Sequence, residues 1–269
     1  MRSDYPRIVP ELVEVERYRT LAEEALDRTI SAVVSSDAWF LKGGATAPVL
    51  EAALVGRRLT DARRIGKLLL LDIDDGQVVG VRFGMTGSLL VDGADPVGRL
   101  LYSPTRYDPQ WDRWSVTFVD GGRLVVHDPR RLGGVSLDPD LSHLGPDAAS
   151  LSVAGLARSL AGSSAPLKAR LLDQARVAGI GNLIANEVLW RAGLSPLRPA
   201  SSLTPPEVRR LHRHLGRTLI DLTDRGGSHL GNLMDERHIG GICPKDGTPL
   251  ARSTVGGRTT WWCPAHQVA

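Results

Sequence analysis

The sequence lacks several features that mark specialised classes of protein. Only two of its 269 residues are cysteines, and both stand near the C-terminus, which argues against a secreted domain held together by disulfides. No apolar run approaches the roughly 18 residues of a membrane span, and the N-terminus has no apolar signal-peptide core. We therefore expect the protein in the cytosol.

A strong excess of charge of one sign is also missing. The chain has 33 Lys and Arg against 30 Asp and Glu, which gives a net charge of +3 and a pI of about 9.1. This balance permits a polyanionic partner without requiring one. With 42% hydrophobic residues and neither an internal repeat nor a low-complexity tract, the composition indicates one large globular domain or two moderate ones.

The local pattern changes along the chain. Between residues 68 and 138, short apolar runs are separated by Asp-Asp-Gly and Asp-Gly-Gly turns, which predicts hairpins of an antiparallel sheet or sandwich. Near residue 150 the spacing becomes helical. Thr204 and Glu207 form a capping-box pattern that predicts a helix with one apolar stripe, at Val208, Leu211, Leu215 and Leu219.

The C-terminal tail contains paired metal-ligand positions. Two short segments, Cys-Pro-Lys-Asp and Cys-Pro-Ala-His, are separated by sixteen residues, which is the spacing of a zinc ribbon. The predicted ligands are Cys243, Asp246, Cys263 and His266.

Alternatives to this ligand set remain open. Asp246 is the weakest member, because an oxygen ligand is uncommon in small ribbons and an Asp before Gly also suits a turn. His238 is a substitute ligand. The ribbon is alternatively free of metal and held by Trp261 and Trp262.

An early proline admits two interpretations. Pro10 precedes acidic residues and an apolar set at helical spacing, so it suits the first position of a helix, where its missing N–H costs nothing. The apolar positions are Leu12, Val15, Tyr18, Ala22 and Ala25. Alternatively, Pro10 is meant to be the first residue of the mature chain.

A glycine turn lies between two predicted helices in the middle of the chain. Its residues, 179–181, precede Asn182 at the start of the second helix. Backbone N–H groups at a helix start form a ready phosphate site, and the Asn182 side chain would add a contact. A tight helix–turn–helix made only for packing is the alternative.

Several segments together resemble the formamidopyrimidine-DNA glycosylase and endonuclease VIII family. The glycine turn resembles its helix-two-turn-helix signature, and Pro10 begins a segment similar to its mature N-terminus. The matching segments are "PELVEVERYR", "RRIGKLLLLDI", "RFGMTGSLLV", "HDPRRLGG", "LLDQARVAGIGNLIANEVLWRAGLSP" and "GGRTTWWCPAHQ". Val13 and Leu132 stand where the family usually has proline and phenylalanine.

The resemblance implies an α+β fold in three parts. These are a catalytic β-sandwich flanked by helices (1–149), a helix-two-turn-helix domain (150–235) and a zinc-ribbon-like β-hairpin (236–269). It also implies a monomeric base-excision-repair enzyme of the bacterial cytosol and nucleoid, with damaged double-stranded DNA as partner and a structural zinc ion. Such enzymes rotate a damaged base out of the stack and cut its glycosidic bond.

The resemblance also implies roles for individual residues. Pro10 would be the amine nucleophile, Glu11 the acid, and Lys67 a group that orients phosphate. Met85, Arg130 and Leu132 would fill the space left by the extruded base, unless Met85 and Leu132 belong to the core. Contacts to phosphate would come from Lys67, Arg131, Asn182 and Arg258.

The residues before Pro10 affect this chemistry directly. In the sequence as written, nine residues precede Pro10, so its nitrogen is an amide without a usable lone pair. One hypothesis is that translation starts at Val9 through a GTG codon and that removal of the initiator exposes Pro10. The other is that Glu11 activates water in a monofunctional glycosylase, or that the protein only reads bent or abasic DNA.

The short segment between the helical part and the zinc ribbon predicts which damaged bases the protein prefers. The family's purine-lesion enzymes carry a long loop before the zinc ribbon, whereas "GGSHLGNLMDERHIGGIC" leaves little room for one. We expect weak action on 8-oxoguanine and a preference for oxidised pyrimidines or ring-opened bases.

Overall fold

The computed structural model describes residues 9–98, 100, 102–104 and 106–268. The octapeptide at positions 1–8, on which the start-site hypothesis bears, lies outside the described residues. Two compact units are present, Met1–Leu141 and Ser142–Ala269. The predicted division into three domains stays a prediction.

The first unit is a β-sandwich with two helices, as the sequence predicts. Its helices are α1 (Leu12–Ala22) and α2 (Ala47–Leu54). Its strands are β1 (Ile30–Val34), β2 (Leu59–Ile65), β3 (Leu68–Ile73), β4 (Val78–Arg82), β5 (Ser88–Val91), β6 (Asp112–Phe118), β7 (Arg123–His127) and β8 (Gly134–Leu137).

Two antiparallel four-stranded sheets form this unit, in the orders β1-β6-β7-β5 and β2-β3-β4-β8. Both predicted hairpins are confirmed, since β3 pairs with β4 across the Asp-Asp-Gly turn and β6 with β7 across the Asp-Gly-Gly turn. The shared core takes apolar residues from both sheets and from α1, including Tyr18, Leu71, Val81 and Trp114. Burial of these side chains is the main stabilising term of the unit.

The second unit is helical and ends in a hairpin. Its helices are α3 (Val153–Leu160), α4 (Leu167–Leu172), α5 (Asn182–Ala192) and α6 (Pro205–Arg225), and its strands are β9 (Ala251–Val255) and β10 (Arg258–Trp262). The capping box of α6 forms as predicted, with the Thr204 N–H donating to the Glu207 carboxylate at 2.8 Å. The predicted apolar stripe of α6 is buried. Among the described residues, no helix has the length and hydropathy needed to cross a bilayer.

Candidate functional site

The start of α1 holds the first two predicted catalytic residues. Glu11, not Pro10, caps the helix: its backbone is extended (φ −113°, ψ −168°), and its N–H donates to the Glu14 carboxylate at 2.9 Å. Because this capping box fixes the helix start at Leu12, Pro10 lies outside the helix. The interpretation of Pro10 as a helix-starting residue is therefore wrong. Pro10 and Glu11 are both buried.

Lys67 lies at a hairpin turn that packs against α1. Gly66 takes a φ of 58° as the first of the two turn residues between β2 and β3, and Lys67 is the second. Arg64 pairs with Glu16 of α1 at 2.8 Å and donates to the Gly66 carbonyl at 3.0 Å. Partial burial opposes ionisation of Glu16, but hydrogen bonds from Arg64 and Arg19 outweigh it and lower its pKa. These bonds fix the Lys67 turn on the helix that Glu11 caps.

Two exposed loops carry the predicted space-filling side chains. Met85 is 38% exposed and Leu132 is 44% exposed, so the alternative that they belong to the core is wrong. The loops touch at Gly84, where a Cβ atom would lie 2.6 Å from the Leu132 carbonyl carbon. Gly84 also has a φ of 60°, so only glycine suits this approach. The fold thus brings Met85 and Leu132 onto neighbouring loops.

A buried carboxylate holds both loops in place. Asp128 has no exposed surface, and its two oxygens accept from the backbone N–H groups of Arg130 at 3.1 Å and Gly133 at 2.8 Å. The Thr86 hydroxyl, next to Met85, donates to the same carboxylate. One side chain therefore orders the 128–133 loop and ties it to the loop of Met85.

The two arginines of this loop have different surroundings. The Arg130 guanidinium lies 5.5 Å from the ring centroid of the half-exposed Tyr102, where a cation–π attraction holds it. Arg131, at a φ of 58°, forms an ion pair with both oxygens of Asp37. Its guanidinium remains 47% exposed. The structure therefore leaves both predicted contacts at the surface, with Arg131 already neutralised in part.

In the second unit, the glycine turn between α4 and α5 forms as predicted. Gln174 holds it from within, because its side-chain amide accepts from the Gly179 N–H at 2.9 Å and donates to the Ile180 carbonyl at 2.9 Å. Gly179 takes a φ of 107°, which a β-carbon would strain. Asn182 is then the first residue of α5, partly exposed at the positive end of the helix.

A buried ammonium group orders this end of the second unit. Lys168 has no exposed surface, and its Nζ donates to Asn182 Oδ1 at 2.7 Å and to Thr260 Oγ1 at 2.8 Å. With its amide oxygen held, the Asn182 side chain presents its NH₂ group as a donor. Lys168 also donates to the carbonyl of Thr259 at 3.3 Å. Arg258 precedes Thr259, so the two predicted phosphate contacts of this unit share one organising residue.

Arg258 is exposed at the tip of the C-terminal hairpin. The turn residues Gly256 and Gly257 have φ values of 57° and 69°, as a tight two-residue turn of this kind requires. Gly256 packs on α4, where a Cβ atom would lie 3.4 Å from Ala169. The hairpin tip is thereby fixed beside Lys168.

The four predicted metal ligands are brought together. The ligand atoms of Cys243, Asp246, Cys263 and His266 all lie within 4.8 Å of one another. His266 Nδ1 is 3.1 Å from an Asp246 oxygen and 3.4 Å from Cys243 Sγ, close to the edges of roughly 3.3–3.8 Å of a tetrahedral zinc site. Both cysteines are buried and free of disulfides.

The surroundings of the cluster fit a metal site. His266 Nε2 lies 3.0 Å from the Trp190 carbonyl, which can only accept, so Nε2 carries the proton and Nδ1 keeps its lone pair for a ligand bond. Asp246 also forms the turn that the alternative predicts, accepting from the Thr248 N–H at 2.9 Å with its other oxygen. Trp190, rather than Trp261 or Trp262, packs against the two cysteines.

Sequence reasoning missed the residues that hold the predicted ones. His238 does not belong to the metal cluster; it is 44% exposed and lies beside Glu236. The sequence carries a local signal for Asp128, because an Asp side chain often accepts from the N–H two residues later in an Asx turn. Asp37 had the same local signal, since it accepts from the Trp39 N–H, but its bond to Arg131 had none because Arg131 is distant in sequence. Lys168 had no signal for the same reason.

Comparison with known proteins agrees with these features. Residues 9–135 match the formamidopyrimidine-DNA glycosylase N-terminal domain, and residues 144–232 match the formamidopyrimidine-DNA glycosylase H2TH domain. The chain is 35% identical over 283 residues to the formamidopyrimidine-DNA glycosylase of Chloroflexus aggregans, covering 97% of this chain and 99% of that protein. It is 36% identical over 286 residues to that of Thermus thermophilus, with 96% and 98% covered.

A solved structure shares the fold. Wild-type Lactococcus lactis Fpg, in complex with DNA containing an oxidized pyrimidine, aligns with a TM-score of 0.80 and 25% identity, covering 97% of this chain and all of that one. A β-sandwich unit followed by a helix-two-turn-helix unit with a Cys/His hairpin defines a class of DNA glycosylases. Within that class, the chain belongs to the formamidopyrimidine-DNA glycosylase family.

Proposed function

We propose that this protein is a base-excision-repair DNA glycosylase that removes oxidised or ring-opened bases, with abasic-site lyase activity once Pro10 is the N-terminus. The observation that carries the proposal is the buried Glu11 at the start of α1, directly after Pro10. This places an acid next to the nitrogen that would react. Family membership and the relatives' names support the same activity.

The chemistry follows from these two residues. The secondary amine of Pro10 would attack C1′ of the damaged nucleotide while the bond between C1′ and the base breaks and the base leaves with the electron pair. Glu11 would protonate the ring oxygen as the sugar opens to an imine. Loss of a C2′ proton from that imine then expels the 3′ phosphate. Lys67 would orient the phosphate of the lesion.

Binding would use the exposed loops of both units. Met85 and Leu132 would occupy the space left by the extruded base, and Arg130 would contact the unpaired partner. Arg131, Asn182 and Arg258 would contact phosphates. This assignment needs only a few exposed cations at the contact, so a net charge of +3 is compatible with DNA binding.

Zinc is the metal that the Cys, Asp, Cys, His set fits best, because thiolate and imidazole ligands at tetrahedral spacing favour it. Its role would be to fix the hairpin that carries Arg258. The protein would act as a monomer in the cytosol.

Base release from lesion duplexes tests the activity. We expect release by the chain that begins at Pro10, and at least a roughly 100-fold loss on Glu11→Gln, because the amide cannot deliver a proton. Glu23→Gln is the control, since Glu23 is a half-exposed carboxylate near the other end of α1. Full release by Glu11→Gln would contradict the role of Glu11.

The same assay tests the lesion preference and the alternatives. Faster release of thymine glycol than of 8-oxoguanine is expected; the reverse order would refute the preference. Base release without a borohydride-trapped adduct would indicate the monofunctional alternative, and binding without release would indicate a reader of damaged DNA. A codon other than GTG at Val9 would remove the basis of the start-site hypothesis.

A further inference from the structure

An exposed tryptophan stands beside the loop of Arg131. Trp39 is 67% exposed, although its neighbours Phe40 and Leu41 are buried in the sandwich core. It lies in a short 3-10 helix, Ala38–Phe40, between β1 and α2. The Trp39 ring therefore offers a large apolar face, with a polar N–H group, at the surface beside this loop.

The ring is held rather than loose. The Lys42 ammonium lies 4.6 Å from the ring centroid of Trp39 and donates to the Trp39 carbonyl. Asp37 caps the 3-10 turn by accepting from the Trp39 N–H at 3.0 Å. The Lys42 stem passes so close to Gly134 that a Cβ atom there would lie 2.6 Å from Lys42 Cγ. A fixed ring loses little conformational entropy when it binds.

The turn of Trp39 is joined to the 128–133 loop. The Asp37 oxygen that accepts from Trp39 also accepts from Arg131 at 2.7 Å. Arg113 lies 3.7 Å from the other oxygen of Asp37 and donates to the Asp128 carbonyl at 2.8 Å. The Asp37 carboxylate thus lies among Arg131, Arg113 and the Trp39 turn. Together with Lys42, these side chains carry a net positive charge.

We propose that Trp39 and Lys42 form a further DNA-binding patch, which extends the contact of the 128–133 loop along the duplex beside the lesion. The Trp39 ring would pack against a sugar or base face, and Lys42 would contact a phosphate. DNA is the occupant that the observations favour, because the patch is cationic and continuous with the loop of Arg131. The inference rests on the proposed function.

Measuring DNA affinity at several salt concentrations separates the packing role of the Trp39 ring from the phosphate contact of Lys42. Affinity for a duplex with a tetrahydrofuran abasic analogue would be measured by fluorescence anisotropy at several salt concentrations. Trp39→Ala should weaken binding about tenfold without changing the salt slope, because the ring releases no counterions. Lys42→Ala should reduce the slope by about 1. Val119→Ala is the control, since Val119 is 70% exposed at the turn between β6 and β7.

Shielding of the ring gives a second readout. The difference in acrylamide quenching of tryptophan fluorescence between the unaltered protein and Trp39→Phe reports on Trp39. Bound duplex should shield the Trp39 ring from acrylamide. Trp39→Phe should also retain most of the affinity, because a phenyl ring still packs on DNA, which guards against a folding defect in Trp39→Ala.

The outcomes are distinguishable. Wild-type affinity for Trp39→Ala together with an unprotected ring would overturn the patch while leaving the proposed function intact. Failure of the unaltered protein to bind the duplex would overturn both.

Discussion

The two units order their predicted DNA-contacting residues with buried groups of opposite charge. In the first unit a carboxylate, Asp128, accepts from backbone N–H groups and fixes the loop of Arg130 and Leu132. In the second unit an ammonium, Lys168, donates to oxygens and fixes Asn182 and the strand beside Arg258. Neither group has exposed surface. A buried charge is tolerated where each of its hydrogen-bonding positions finds a partner.

The difference lies in the distance along the chain that each group spans. Asp128 accepts from residues two and five positions away in its own loop, and from one distant residue, Thr86, 42 positions away. Lys168 reaches 14 residues to Asn182 and 92 to Thr260. The backbone of the 128–133 loop is therefore shaped mainly by local bonds, with one distant bond to the loop of Met85. The acceptors of Lys168 come together only when α4, α5 and β10 have packed. The second unit should be the more sensitive to loss of a single residue.

Loss of a metal ligand should have the largest effect of the changes considered, and this effect should be confined to the second unit. Cys263 directly follows β10, the strand that carries Thr260, so Cys263→Ser should release one of the acceptors of Lys168 as well as zinc. Structural zinc contributes about 10 kcal/mol in isolated finger peptides. We expect no bound zinc, fast hydrogen exchange in β9 and β10, and a first unit that stays protected.

Zinc content per chain and hydrogen exchange measure this outcome. His238→Ala is the control and should keep one zinc ion, because His238 stands apart from the cluster. Unchanged metal content in Cys263→Ser would show that the cluster is not a zinc site.

Replacement of the buried ammonium should have the next largest effect. Lys168→Met keeps the length of the side chain but leaves the oxygens of Asn182 and Thr260 without their donor. The cost is about 1–3 kcal/mol for the buried Thr260 and less for the partly exposed Asn182. Urea unfolding should show this loss, and binding to an abasic duplex should weaken. Arg213→Met, on the exposed face of α6, should change stability by less than about 0.5 kcal/mol. Equal stability of the two variants would remove Lys168 as an organising residue.

The matching change in the first unit should reduce the free energy of unfolding by less than Lys168→Met does. Asp128→Asn keeps the shape but turns one acceptor into a donor that faces a backbone N–H group. We expect about tenfold weaker binding to the abasic duplex at a cost in stability of about 1–2 kcal/mol. Asp75→Asn is matched, since Asp75 accepts from the Gln77 N–H in an exposed hairpin turn and has a long contact of 3.9 Å with Arg57. If both variants bind DNA like the wild type, Asp128 does not order the loop.

The helix cap of α6 should show the smallest effect. Hydrogen bonds from Arg198 and Thr204 lower the pKa of Glu207 to about 2. The folded carboxylate is thus stabilised, and this stabilisation is present above the ordinary pKa of Glu and is lost as the pH falls towards 2. Glu207→Gln should cost about 1 kcal/mol at neutral pH, little at pH 2, and nothing in DNA affinity. A constant difference between pH 7 and pH 2 would refute the ionised cap.

The features of the fold and of the site that could be predicted from the sequence are mostly those held by local contacts. Turns, caps and residue spacings are local, so the hairpins, the α6 cap and the grouping of the four candidate ligands were predicted correctly. The start of α1 was misread although its capping box is also local, because Glu is not a preferred N-cap residue and Pro10 suits the first position of a helix. The bonds of Lys168 and the bond between Asp37 and Arg131 depend on long-range packing and leave no pattern in the sequence.

Borohydride trapping tests the central claim most directly, namely that the nitrogen of Pro10 reacts once it is free. Two chains would be compared on an abasic duplex, one beginning at Pro10 and one beginning at Met1, and the adduct would be located by mass spectrometry. We predict a covalent complex at Pro10 in the first chain and none in the second. An equal yield from both chains, or an adduct at Lys67 instead of Pro10, would contradict the account.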